Sequence, residues 1–161
     1  MSDMQTHPNV VAVQDALTAA GAPGTAQVII LDDAVHTAAA AAEALGVETG
    51  QIANSLIFDA DGAPLLVLTS GAHRVDTAKV SAGLGLGKLR RATPEFVREH
   101  TGQPIGGVAP LGHPKPVRTL VDVALEQYEV IWAAGGVPRA VFPITYAELV
   151  RVTDGTPAEV A

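Results

Sequence analysis

The 161-residue chain has the length of about one globular domain, and 48% of its residues are hydrophobic. It contains no cysteine, which excludes disulfides, thiolate nucleophiles and cysteine-ligated zinc. The net charge of −7 disfavours a polyanionic partner, and the sequence has neither the apolar run of a membrane span nor the basic and apolar start of a signal peptide. We therefore expect a compact cytoplasmic protein.

The first part of the chain predicts two helices separated by a short strand. Apolar residues recur at helical spacing within residues 9–21, with Asn9 as the N-cap and Gly21 as the stop. Residues 27–31 form a short apolar run typical of a buried strand. The alanine-rich segment 37–46 favours a second helix because alanine has the highest helix propensity.

A β-hairpin is the clearest local signal in the middle of the chain. Residues 54–59 and 64–69 are strand-like, and the Asp61-Gly62 pair between them suits the positive backbone angles of a tight turn. Asp76 can cap the helix that follows. The glycines at 83–87 end that helix instead of linking a strand to a helix start, so the segment is not a nucleotide-binding loop.

The remaining elements follow the same local logic, and Thr93-Pro94-Glu95 is a strong helix start. They are a basic edge strand at 88–92, a helix at 95–102, strands at 117–121, 129–133 and 140–144, a helix at 146–152 and a loose tail at 153–161. This order is not a regular βαβ alternation, so it predicts an α/β fold with a mixed sheet wrapped by helices. The chain shows no internal repeat and no linker, which predicts a single domain over residues 1–161.

Residues 101–122 form the most unusual stretch, with four prolines and four glycines. The Gly106-Gly107 pair lets a ligand approach main-chain N–H groups, and the prolines stiffen the path. This composition favours a rigid binding loop over a flexible linker, and a long surface connection that binds nothing is the alternative.

Charge is unevenly distributed, because residues 74–118 contain three acidic residues and eight basic ones. The eight are Arg74, Lys79, Lys88, Arg90, Arg91, Arg98, Lys115 and Arg118. One side of the fold can therefore face a polyanion while the rest repels it. A solvated surface without a partner is the alternative.

Five motifs together resemble a known family. NSLIF (54–58), TSGAHRVDTAKV (69–80), TGQPIGGVAPLGH (101–113), TLVD (119–122) and AAGG (133–136) resemble, in order and spacing, the YbaK/ProX family of aminoacyl-tRNA deacylases. That family includes the editing insertion of bacterial prolyl-tRNA synthetases. The resemblance implies a mixed, barrel-like sheet flanked by helices, and hydrolysis of the ester between a wrong amino acid and the terminal adenosine of tRNA.

The chemistry of this ester hydrolysis suits residues 106–108, which we call the glycine loop. An aminoacyl ester is already activated, so positioning a water and stabilising the oxyanion matter more than a strong nucleophile. The predicted catalytic residues are Asn54, Gly106, Gly107 and Val108, the last three through backbone N–H groups. The predicted substrate-binding residues are Ser55, Ser70, His73, Pro110, Gly112, His113, Asp122 and Gly135.

Asn54 departs from the family pattern. Many members carry a lysine at this position, followed by Thr or Ser and then Leu, whereas this chain has Asn54-Ser55-Leu56. An asparagine cannot supply the positive charge, although its amide can still hydrogen-bond to a substrate.

Several candidate residues have a structural alternative. His73 and His113 can order a water or contact phosphate, or be solvated side chains, and nothing pairs them into a metal site. Asp122 is better suited to hold the stretch at residues 101–122, which we call the central loop, by hydrogen bonds to backbone N–H groups than to act as a catalytic base. Ser55 and Ser70 lack the sequence order of a triad, and Trp132 is expected in the core.

Two interpretations of function remain. The first is a deacylase acting in trans on mischarged tRNA, for example tRNA(Pro) carrying alanine, cysteine or serine. The second is a binding module of the same fold that retains tRNA or a small amino-acid-like ligand without turnover. The predicted partners are the acceptor end of aminoacyl-tRNA and, as a further candidate, a synthetase; no cofactor, metal, DNA or membrane is predicted. The predicted tRNA contacts are Lys88, Arg90, Arg91, Lys115 and Arg118.

Overall fold

A long antiparallel hairpin occupies the middle of an eight-stranded sheet. The computed structural model describes residues 6–23 and 26–161. The strands are β1 (Ile29–Ile30), β2 (Ile52–Ala60), β3 (Ala63–Ser70), β4 (Leu89–Arg91), β5 (Arg118–Asp122), β6 (Ile131–Ala134), β7 (Ala140–Ile144) and β8 (Thr156–Ala158). The α-helices are α1 (Pro8–Ala19), α2 (Ala38–Leu45), α3 (Thr77–Leu84), α4 (Pro94–Thr101) and α5 (Tyr146–Thr153), and 3-10 turns span Thr49–Gln51 and Val123–Gln127. In this described part of the chain, no helix has the length and apolar character needed to cross a membrane.

The sheet is mixed, as the sequence predicts. Its order is β1-β7-β6-β2-β3-β5-β8, and β4 also pairs with β2. The pairs β2–β6, β3–β5 and β5–β8 are parallel, while the other pairs are antiparallel. The predicted mixed sheet flanked by helices is confirmed.

Local turn and cap residues explain the element boundaries. Asp61 and Gly62 have φ of 53° and 90°, so the two-residue turn between β2 and β3 has the positive angles that the sequence predicts. Helices α2, α3 and α4 all end at a glycine in the left-handed region, which satisfies the last carbonyl groups.

The start of α1 differs from the prediction. The helix begins at Pro8, and His7, not Asn9, is its N-cap, because the Nδ1 atom of His7 accepts from the Asn9 N–H at 3.1 Å. The Asn9 side chain instead donates to the Gly136 carbonyl at 3.1 Å. It thereby ties α1 to the turn between β6 and β7.

The two faces of the hairpin bury different clusters. Leu66 and Leu68 pack on the larger cluster, to which α1, α4 and α5 contribute. Leu65 and Val67 face the smaller cluster with Val80 of α3. Opposite residues of paired strands share a face, so the hairpin register also fixes which residues of β2 point to each side.

Two predictions about the C-terminal part are wrong. Residues 153–161 are not a loose tail, because β8 pairs with β5 and Val160 is fully buried. The Val160 carbonyl also accepts from the Asp76 N–H at 2.7 Å. Residues Glu129 and Val130 are exposed and precede the strand, which begins at Ile131.

Candidate functional site

A cavity of about 270 Å³ lies at one edge of β2. Residues 35–38 at the start of α2 form one side, and residues 105–108 of the central loop, without Gly107, form a second. The wall formed by β6 and β7 includes residues 132–134. Residues 52–56 of β2 form the floor.

The cavity exists because β6 and β4 pair with different parts of the β2 edge that faces away from β3, which leaves a gap between them. Strand β6 pairs with β2 only at Ile52 and Ala53, and β4 pairs only at residues 58–60. Residues 54–57 therefore have a strand neighbour on the β3 side alone. Consecutive residues 53–56, whose side chains alternate between the two faces, all line the cavity, so it opens onto the strand edge.

Two polar side chains on this edge lack a partner. The Ser55 hydroxyl is buried, and it is the one buried side-chain oxygen or nitrogen in the described chain without a hydrogen bond. The Asn54 side chain points to the other face of the strand; Asn54 also lines the cavity, and no described residue hydrogen-bonds to its amide. Buried polar groups in proteins are nearly always paired, so an unpaired hydroxyl in a cavity marks a place for a ligand.

The glycine loop faces this edge across the cavity. Gly106 has φ of 88°, and a Cβ placed there would lie 3.2 Å from His36 Nδ1. Within the described residues, the N–H groups of Gly106 and Val108 donate to no other protein group. These two donors are available to an oxygen atom in the cavity.

Gly107 has a different position in the loop. Its N–H donates to the Pro104 carbonyl at 3.0 Å, and a Cβ would lie 2.7 Å from the Cα of Val137. The expectation that all three N–H groups of residues 106–108 serve as oxyanion donors therefore narrows to two. Gly107 is needed for close packing of the loop against Val137.

Apolar and aromatic side chains complete the wall, and two of them were not anticipated. Trp132, expected in the core, is half-buried: it packs on Ile52 and lines the cavity. His36 is exposed at the mouth beside Gly106. The described residues that line the cavity include no Lys, Arg, Asp or Glu, so this part of the wall has no acidic or strongly basic side chain.

Comparison with known proteins assigns the fold to a family. Residues 32–152, which include the cavity and the glycine loop, match the model of the aminoacyl-tRNA editing domain. The chain belongs to this family. The predicted YbaK/ProX resemblance is confirmed, and the chain is an aminoacyl-tRNA editing domain.

Its relatives include free-standing proteins and a segment of synthetases. A crystal structure provisionally assigned as a trans-editing enzyme for prolyl-tRNA synthetase is 44% identical, with a TM-score of 0.89, over 96% of this chain and 97% of that one. The uncharacterized protein YwhH of Bacillus subtilis (strain 168) is 34% identical over 68% of this chain and 69% of its own length. A proline–tRNA ligase of Nitratidesulfovibrio vulgaris (strain DP4) is 35% identical over 56% of this chain, which spans only 16% of the ligase.

Part of the predicted site lies around the cavity of the editing domain. Asn54, Gly106 and Val108 from the predicted catalytic set line it, as does Ser55 from the substrate-binding set. The other predicted substrate-binding residues do not line it; they are Ser70, His73, Pro110, Gly112, His113, Asp122 and Gly135.

Three of these residues form a second polar cluster at the end of β3. Asp122 is 1% exposed and accepts from the Ser70 N–H at 2.9 Å and from the Thr69 hydroxyl at 3.3 Å. His73 Nδ1 lies 2.9 Å from the same carboxylate oxygen, and the Ala124 N–H donates to the other at 2.9 Å. Asp122 thus pins the end of β3 and the turn after β5, not the central loop as expected.

The remaining residues support the loop and the β6–β7 turn of the editing domain. Pro110 is buried, and Gly112, with φ of 86°, packs against the backbone of α1 at Val13. His113 Nε2 lies 2.8 Å from the Ala109 carbonyl, and burial lowers the pKa of this imidazole despite that hydrogen bond. Gly135 leaves no room for a Cβ between Val28 and Ala140.

A buried glutamine that the sequence did not single out fixes the loop. Gln103 is 2% exposed, and its Oε1 accepts from the Ala109 N–H at 2.8 Å. The Thr101 hydroxyl accepts from the Gln103 N–H and donates to the Val97 carbonyl. These bonds make the segment before Pro110 rigid, in agreement with the expected rigid loop.

The predicted tRNA contacts are all exposed, and they occupy both faces of the sheet. Residues directly opposite each other in paired strands point to the same face of a sheet. Arg91 lies opposite Phe58, which lies opposite Leu65. Leu65 in turn lies opposite Arg118, so Arg91 and Arg118 share a face. Arg90 lies opposite Asp59 on the other face, which β2 also uses for Ser55. None of the five residues Lys88, Arg90, Arg91, Lys115 and Arg118 forms an ion pair with another described residue.

Proposed function

We propose that this editing domain acts in trans as a deacylase of mischarged tRNA(Pro) that carries a small amino acid such as alanine, cysteine or serine. Two similarities support the proposal: the trans-editing structure matches nearly the whole chain, and the proline–tRNA ligase contains a similar segment. The substrate is then made by the synthetase, and this protein removes the wrong amino acid after release.

The cavity is the observation on which the proposal rests. Its volume of about 270 Å³ is below the ~300–1,000 Å³ usual for sites that enclose a whole drug-sized ligand. An aminoacyl group fits within such a volume, while the terminal adenosine stays at the mouth. Size exclusion by a second site is the usual way to edit amino acids that a synthetase discriminates poorly.

The two loop donors suit hydrolysis without a covalent intermediate. The carbonyl oxygen of the ester would accept from the N–H groups of Gly106 and Val108, which stabilise the charge that develops on it. A water oxygen forms a bond to the carbonyl carbon, and the bond to the ribose oxygen then breaks. The ribose oxygen takes a proton, so the products are the free amino acid and tRNA with its hydroxyl restored.

The acceptor end is proposed to lie across β4. This strand borders the open segment of β2, and it carries the exposed, unpaired Arg90 and Arg91 beside Lys88. Basic side chains without internal partners can neutralise phosphates. The acidic remainder of the chain would limit binding to this side.

Asn54 favours a second candidate function, a binding module without turnover. It lines the cavity at the position where many family members carry a lysine, and it brings no charge. If that charge is necessary for hydrolysis, the cavity would retain an aminoacyl group without releasing it.

Single-turnover deacylation distinguishes the two. Alanyl-, cysteinyl- and seryl-tRNA(Pro) would be compared with prolyl-tRNA(Pro), with Gly106→Ala as the test variant and Gly62→Ala as its control. Both glycines have φ near 90°, so backbone strain is matched, but Gly62 lies in the hairpin turn with open space around it.

We expect selective release of one small amino acid, reduced about 100-fold in Gly106→Ala and unchanged in Gly62→Ala. Equal losses in the two glycine variants would remove the loop from the mechanism. No release from any substrate above the rate without protein, with tRNA retained on a filter, would establish the binding module.

A further inference from the structure

The open edge of β2 exposes main-chain groups as well as side chains. The Gly71 N–H donates to the Ile52 carbonyl at 2.8 Å, so the polar main-chain groups of Ile52 point towards β3. The main-chain N–H and C=O groups of successive residues point to alternate edges of a strand. Those groups of Ser55 and Ile57 therefore point away from β3, towards the gap between β6 and β4.

Ser55 is the residue on which the unused polar groups converge. Neither β6 nor β4 extends to it, and no loop in the described part of the chain bonds to its N–H or carbonyl. Its hydroxyl is buried and unpartnered as well. Ser55, which lines the cavity, thus has a carbonyl acceptor, an N–H donor and a hydroxyl to which no described group bonds.

The charge of the lining indicates which ligand group these acceptors suit. Among the residues that the structure describes, no lysine, arginine, aspartate or glutamate lines the cavity, and Asn54 adds only a neutral amide. An ammonium ion therefore meets no cationic side chain there, and it donates three hydrogen bonds that neutral oxygen acceptors can receive. The net charge of −7 also favours a cationic group over an anionic one.

We infer that Ser55 recognises the free α-ammonium group of the aminoacyl ester, through its carbonyl and hydroxyl oxygens. The inference rests on the proposed function and deepens it. The ester carbonyl stays on the opposite side, towards Gly106 and Val108, so the substrate bridges the strand edge and the glycine loop. The site selects esters of free amino acids against N-acylated esters, in which the nitrogen is neutral and bulkier.

The experiment compares four esters of one tRNA(Pro) under single-turnover conditions. They are alanyl, lactyl, propionyl and N-acetylalanyl, which present an α-ammonium, an α-hydroxyl, no α-donor and a blocked amide. Each would be tested with the wild-type chain, Ser55→Ala and Ser55→Thr. Ser55→Ala removes only an unpaired hydroxyl, so its unfolding midpoint should be at least as high as that of the wild type.

Each rate is divided by the uncatalysed rate of the same ester, because an α-ammonium group activates an ester even without protein. By this ratio we expect wild-type protein to accelerate the alanyl ester at least about tenfold more than the propionyl and N-acetylalanyl esters, with the lactyl ester between them. Ser55→Ala should reduce the ratio for the alanyl ester more than the ratio for the propionyl ester, and Ser55→Thr should restore part of the preference. Equal ratios for the alanyl and propionyl esters in the wild type would overturn this inference alone. If none of the four esters is hydrolysed, the proposed function fails and the inference fails with it.

Discussion

Two places near the open end of the β2–β3 hairpin contain buried polar groups that are satisfied very differently. At the end of β3, the Asp122 carboxylate receives hydrogen bonds from two main-chain N–H groups and lies within hydrogen-bonding distance of Thr69 and His73. At the open edge of β2, the Ser55 hydroxyl has no partner. Both regions were predicted as parts of one substrate site.

The difference separates structural from functional polar residues. A network such as that of Asp122 satisfies the buried carboxylate within the protein, and its loss is felt in folding. An open group such as the Ser55 hydroxyl costs stability until something binds to it, which is tolerated where function requires it. Substitutions at the two places should therefore act on different measurements.

The largest expected effect is at Asp122. Asp122→Ala should lower the free energy of unfolding by about 3 kcal/mol, because it leaves the buried N–H of Ser70 and the hydroxyl of Thr69 without an acceptor. Denaturant unfolding measures the loss. Ser55→Ala serves as the control and should change stability by less than about 0.5 kcal/mol. Similar losses of unfolding free energy in the two variants would show that Ser55 and Asp122 do not differ in their contribution to folding.

Gly107→Ala should have the next largest effect. The new Cβ would lie 2.7 Å from the Cα of Val137, so backbone has to move, and we expect a loss of about 2 kcal/mol. Gly83→Ala is the matched control, since nothing lies within 4 Å of a Cβ there. Thermal unfolding of the two variants gives the comparison, and an unchanged midpoint for Gly107→Ala would show that the loop adjusts.

Asn54→Ala tests the open edge itself. Its amide hydrogen-bonds to no described residue, so stability should stay within about 0.5 kcal/mol of the wild type. Single-turnover deacylation should fall about tenfold, which corresponds to one lost substrate hydrogen bond. Asn54→Lys supplies the charge common in the family, and turnover in this variant together with none in the wild type would favour the binding-module interpretation of the native residue.

The smallest expected effect concerns pH. Burial lowers the pKa of His113 below its unfolded value of ~6.5, and the hydrogen bond to Ala109 partly opposes this shift. The unfolded chain then binds the proton more readily than the folded chain. The neutral His113 imidazole therefore makes its full contribution to the free energy of unfolding above about pH 6.5, and this contribution is lost as pH falls through the folded pKa. Unfolding free energies measured from pH 7 to pH 5 should fall slightly more for the wild type than for His113→Gln. A steeper fall in the variant would mean that protonation of His113 stabilises the folded state, contrary to this prediction.

Features that depend on neighbouring residues were predictable from the sequence. The Asp61-Gly62 turn, the helix starts at Thr37, Asp76 and Thr93, and the glycine stop of α2 follow from local backbone chemistry. The family motifs brought Asn54, Ser55, Gly106 and Val108 into consideration before their common cavity was known.

Features that depend on strand register were not predictable. The cavity exists because β6 and β4 pair with different parts of β2, and no residue within 54–57 signals that gap. The pairing of β8 with β5 joins segments more than 30 residues apart, so a polar C-terminal stretch appeared to be loose. Trp132 was assigned to the core because its strand is apolar, although the gap exposes one side of it.

Trp132 is also the only tryptophan of the chain, and it lies in the cavity wall. Its indole therefore acts as a built-in optical reporter of that one location. A ligand that enters the cavity displaces solvent from the ring and should change the wavelength and intensity of its emission. Occupancy by an uncleavable aminoacyl analogue can then be titrated on unlabelled protein, and binding and turnover can be followed as separate signals in the same cuvette.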